Sequence, residues 1–99
     1  MTTDKYLILA DHAETLCNEY VECVRVIEEY TTDMIMSQAN TDCEAYISNA
    51  RRLHNAYQRR DTVLEKLALL KSVAGYFLST TEFVRYMHYV NVMISPLNA

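Results

Sequence analysis

The chain has 99 residues, half of them apolar and 22% charged, with a net charge of −4, one Gly, one Pro and three cysteines. That composition excludes a disordered chain and leaves little for hairpin turns or Gly-rich phosphate loops. An odd cysteine count with no CxxC spacing argues against a secreted disulfide framework and for the cytoplasm.

The first segment carries the clearest period. Apolar residues fall at Tyr6, Leu9, Ala13, Leu16, Tyr20, Cys23, Ile27, Tyr30 and Met34, always three or four apart. Leu7, Ala10, Cys17 and Val24 widen this stripe to the width that a bundle helix needs. The spacing predicts one helix from about Asp4 to Met36, roughly 50 Å long at about 1.5 Å per residue. Acids fill much of its other face. Three later stretches, Thr41-Asp-Cys-Glu44, Thr62-Val-Leu-Glu65 and Ser79-Thr-Thr-Glu82, fit the S/T-x-x-E capping box. They predict helices over about Asp42–Arg59, Val63–Leu78 and Thr80–Ser95, with Pro96 beyond the last. Tyr46, Ala50, Leu53, Tyr57, Leu64, Leu67, Leu70, Ala74, Phe77, Leu78, Phe83, Met87, Val90 and Ile94 are expected inward.

The expectation is therefore a single all-α domain over residues 1–99, a four-helix bundle with a long first helix. The second and third helices can also be read as one, because the apolar seam carries across Arg60-Asp61-Thr62. No run reaches the 18 or more apolar residues of a membrane span, and no secretory leader is recognisable.

Catalytic and metal patterns are missing. His12, His54 and His88 fall on different predicted helices without HxxxH or similar ligand spacing. No nucleophile elbow appears, and Cys17 and Cys23 on the apolar stripe behave as small hydrophobes. The expectation is no enzyme, no cofactor, no metal and no small-molecule substrate. Arg60 and Lys71 fall on the seam, where buried charge is costly unless paired. A small helical mutase would use such residues on a dianion. The other reading is snorkelling, with the stems on apolar surface and the charges in water.

Charge divides the chain. Residues 1–50 hold ten acids and two bases, and residues 51–99 hold seven bases and three acids. Arg52, Arg59 and Lys66 are seven apart and share a face if the helix is unbroken, with Arg51 and His54 beside them. Clustered guanidinium groups suit phosphate or carboxylate partners. Arg51, Arg52, Arg59, Arg60 and Lys66 are accordingly the candidate surface for a protein partner or nucleic acid. The first helix outruns short neighbours, so Tyr6, Leu9, Tyr20, Ile27, Tyr30 and Met34 are the candidate interface of a homo-oligomer.

The run Leu64-Glu-Lys-Leu67, then Leu70, Ala74, Leu78-Ser79 and Phe83, resembles the second half of the Avd-like four-helix-bundle family. These are accessory proteins of diversity-generating retroelements. The match covers about forty residues and rests on helix-core and capping positions. The resemblance implies a homo-oligomeric barrel that contacts a reverse transcriptase and its RNA through basic surface. The chain departs from the family with Gln38-Ala-Asn40 after the first helix, with Pro96-Leu-Asn-Ala99 at the end, and with its acidic balance. The rival is a small acidic adaptor, such as a phage-type antidefence inhibitor or a secretion chaperone, that clamps a basic partner with Asp11–Asp33.

Overall fold

A computed structural model describes residues 4–94 as three helices: α1 (Lys5–Ala39), α2 (Cys43–Phe77) and α3 (Thr80–Ile94). No strand occurs among the described residues. The all-α expectation holds, but the four helices become three. The expected boundary at Arg60-Asp61-Thr62 does not exist, and the end of the last helix at Ser95 and Pro96 lies outside the described residues.

Each boundary has a local cause. Asp4 caps α1, its carboxylate accepting from the amides of Tyr6 and Leu7 at 3.0 and 3.4 Å. At the far end the Thr41 amide donates to the Gln38 carbonyl and the Asp42 amide to the Ser37 carbonyl, at 3.1 and 2.9 Å. That pair of bonds is a Schellman closure, which places Thr41 in the left-handed region at φ 57°. Glycine usually sits there; a β-branched residue carries strain on the order of 1 kcal/mol. Because Thr41 closes α1 it is not free to cap α2. Asp42 does so instead, accepting from the Ala45 amide at 3.0 Å, so the cap lies one residue beyond the Thr41 box.

The Thr62 box does not cap either. Its hydroxyl donates back to the Gln58 carbonyl at 3.0 Å, the habit of a threonine inside a helix. Tertiary packing wins over the local signal: Ala56 and Val63 lie buried on either side of the site. A break would also leave half of α1 without the helix beside it. Only the third box works as written. The Ser79 hydroxyl accepts from the Glu82 amide at 3.2 Å, and the Glu82 carboxylate accepts from the Ser79 amide at 3.1 Å.

Helices α1 and α2 form a long antiparallel hairpin, and α3 returns along α1 over one half of it. Seven buried residues make the main core there: Leu9, Ala13 and Cys17 of α1, Ala74 of α2 with Leu78 just beyond its end, and Tyr86 and Val90 of α3. Small residues at Ala13, Cys17 and Ala74 let the Tyr86 ring reach the centre, where it is 1% exposed. Beyond α3 the hairpin continues as a two-helix stalk. At its tip the Ser37 hydroxyl donates to the Asp33 carbonyl at 2.8 Å and accepts from the Asn49 amide at 3.3 Å. The molecule is accordingly elongated, 61 × 22 × 20 Å.

Several positions expected inward are not. Tyr46, Tyr57, Leu64 and Phe77 are exposed, while Ala56, Val63 and Tyr86 are buried instead. The stalk has no second layer to cover Tyr46 and Tyr57. No described helix is long and apolar enough to cross a membrane.

Candidate functional site

The continuity of α2 decides the geometry of the basic cluster. An unbroken helix sets Arg52, Arg59 and Lys66 along one face over about 21 Å, at about 1.5 Å per residue. Arg51, beside Arg52, is exposed as well. No carboxylate lies within ion-pairing reach of Arg51, Arg52 or Lys66 among the described residues. The Arg52 guanidinium instead lies over the Tyr30 ring of α1, 5.8 Å from its centroid. Stacking of this kind holds the fork in place and leaves its donors outward.

Arg59 Nε meets Glu19 Oε1 of α1 at 3.3 Å, with 57% of the arginine side chain exposed. An exposed pair contributes at most about 1 kcal/mol, so a phosphate could displace the carboxylate at little cost. Between these contacts runs a shallow groove, with Cys23, Val26 and Tyr30 of α1 facing Ala56 and Asn55 of α2, and Arg52 and Arg59 at its rim. Arg60 stands apart from it. Its guanidinium donates to Asp61 at 3.0 Å and lies 4.8 Å from the Tyr57 ring centroid. Half-buried and paired, Arg60 follows the snorkelling reading; Lys71 is exposed on α2. The structure thus brings Arg51, Arg52, Arg59 and Lys66 onto a shared surface and assigns Arg60 to its neighbours.

The acidic helix is more self-contained. Glu22 and Glu29 both accept from Arg25, at 2.6 and 2.8 Å. The Arg25 hydrogen bond holds the Glu22 carboxyl below its ordinary range, and Glu22 in turn raises the arginine.

Nucleophile chemistry is disfavoured where thiols are available inside. Burial pushes the Cys17 thiol up. Burial also raises Cys23, opposed by the Arg59 charge. His12, His54 and His88 are exposed on three separate helices, and no group of three metal-ligating side chains assembles among the described residues.

The six expected interface residues divide in two. Leu9 is buried in the protomer's own core and Tyr6 packs against that core, with Arg85 of α3 over its ring at 4.8 Å. Tyr20, Ile27, Tyr30 and Met34 are half-buried along the stalk. Sequence reasoning missed Glu19 and Tyr30 as partners of the arginines. These contacts join residues 40 and 22 positions apart, and no local pattern reports such a contact. No protein-family model, curated protein or solved structure matches this chain.

Proposed function

We propose that the chain is a non-enzymatic accessory or adaptor protein that self-associates and binds a polyanionic partner through the basic face of α2. The partner chemistry is that of a structured RNA or of the acidic surface of a protein, for which a reverse transcriptase and its RNA are one fit. The observation that carries this reading is the row Arg52, Arg59 and Lys66 on one unbroken helix, with Arg51 beside it and most of its donors free. Helices without a deep cleft or a convergent set of acids, bases and nucleophiles suit contact more than catalysis.

The rival reading uses the acids of α1. Glu22 and Glu29 already share Arg25, so a basic partner would have to compete with an internal cation for them. That favours the arginine face. Reversing Arg52 and Arg59 to Glu is expected to abolish binding to a duplex RNA probe, or to the partner recovered with the protein, while helicity stays unchanged. Reversing Glu28 and Asp33 to Lys should leave binding intact or strengthen it. Loss of binding with the acidic changes and retention with the arginine changes would reverse the assignment.

A further inference from the structure

Helix α3 has 15 residues and covers about 22 Å of a hairpin whose helices, with 35 residues each, run about 52 Å. The positions of α1 that meet the α3 layer include Tyr6, Ala13 and Cys17, and those of α2 include Leu67 and Ala74, with Leu78 just beyond its end. Stepping by sevens carries this stripe into the stalk at Tyr20, Ile27 and Met34 of α1 and at Ala50, Leu53 and Tyr57 of α2. All six are apolar, and in the stalk they have only the opposite helix of the hairpin for cover. Tyr57 remains 38% exposed and the others are half-buried. We propose that this open stalk face is closed by the same face of a second copy of the chain, set antiparallel, so that two stalks make one four-helix segment. The proposal rests on the self-association part of the functional reading and gives it a surface.

Three features select a second copy. The face is about 30 Å long and two helices wide, on the order of 600 Å², close to the roughly 800 Å² that each partner buries in an interface of standard size. The six residues are uncharged, and Arg60, which the same stepping reaches between Leu67 and Leu53, is already taken up by Asp61 and the Tyr57 ring, so a strongly acidic or basic partner gains little there, whereas an identical apolar stripe matches it. The protomer is also a step, two layers thick where α3 lies and one layer thick along the stalk. A twofold axis across the stalk fits two such steps together, each tip abutting the end of the partner's α3. Parallel stalks would drive the two α3 helices into each other.

Cys43 at the hairpin tip is exposed, whereas Cys17 and Cys23 are buried. A nitroxide on Cys43 of the full chain therefore reports the tip-to-tip distance by pulsed electron paramagnetic resonance. The expected result is a dimer of twice 11.5 kDa by light scattering, with a spin–spin distance of about 30 Å set by the stalk length. Tyr57→Glu, and independently Met34→Glu, should convert it to the 11.5 kDa monomer with the helical circular dichroism retained. A dimer with labels within about 20 Å, or one that survives both substitutions, overturns this interface and leaves self-association standing. A monomer at 100-micromolar concentration overturns both. Polyanion binding that depends on Arg52 and Arg59 is read separately and survives either result.

Discussion

Tyr86 shows at the scale of a single residue how the fold commits its sequence. Its ring fills the space left by Ala13, Cys17 and Ala74, and burial raises its hydroxyl above the ordinary phenol range. The Cys17 thiol beside it is raised for the same reason. Both groups are neutral acids whose charged forms are disfavoured inside. Their contribution to stability is therefore complete below the unfolded-state values, about 8.5 for Cys and about 10 for Tyr. It is lost as pH climbs from there through the higher folded values. Thermal melts should give a level melting temperature from pH 7 to about pH 8 and a falling one above it. Cys17→Ala should remove the earlier part of the fall and Tyr86→Phe the later part. A profile unchanged by both substitutions would mean that other groups govern the alkaline loss.

The same residue marks a limit of sequence reading. The spacing placed Cys17 on the apolar stripe, where it is found. Tyr86 is not among the positions expected inward, because a tyrosine in an amphipathic helix serves core and contact equally well. Only the small residues opposite, distant in sequence, distinguish the two roles.

At the scale of an element, α2 is where local and tertiary signals compete. A capping box at Thr62-Val-Leu-Glu65 favours a start, while Ala56 and Val63 keep one buried seam running through it. The seam prevails because burial of Val63 is worth on the order of 2 kcal/mol and a helix cap about 1 kcal/mol. Proline discriminates the two states. Thr62→Pro suits the beginning of a helix but removes an amide bond and introduces a clash inside one, at about 3 kcal/mol. The melting temperature should fall by more than about 10 °C, given about 4–8 °C per kcal/mol for a domain of this size. A variant that melts like the parent would restore the break and separate Lys66 from Arg52 and Arg59. The first helix needed no such arbitration. Its expected start is the Asp4 cap, and its end extends only three residues beyond the expected Met36, since one long uninterrupted period has no rival. Ser79 and Glu82 were equally legible, being a reciprocal pair with Leu78 held extended just before them.

For the whole molecule, the decisive quantity is length. The radius of gyration is 17.7 Å, against about 13 Å for a compact chain of this size. The excess is the stalk. An acidic α1 and a basic α2 lie side by side along it, which explains how a chain of net charge −4 can present an arginine face. The charge division was readable from the residues alone. The shape was not, because it depends on α2 running unbroken through Arg60-Asp61-Thr62, which the residues alone leave open. Likewise Leu9, expected at an interface, lies in the protomer's own core, and Tyr6 packs against that core.

Salt sensitivity of binding tests the arginine face most directly. Each phosphate neutralised by a lysine or arginine releases condensed counterion, so the logarithm of affinity falls against the logarithm of salt by about 0.9 per contact with a duplex. Titration of a fluorescent duplex RNA with the full chain, from 50 to 200 mM salt, is the measurement. With Arg51, Arg52, Arg59 and Lys66 engaged, the slope should lie between about −3 and −4. Replacing Lys66 with Ala should make it shallower by about 1. An affinity independent of salt, or a slope that Lys66→Ala leaves unchanged, would contradict the basic face of α2 as the surface this protein works with.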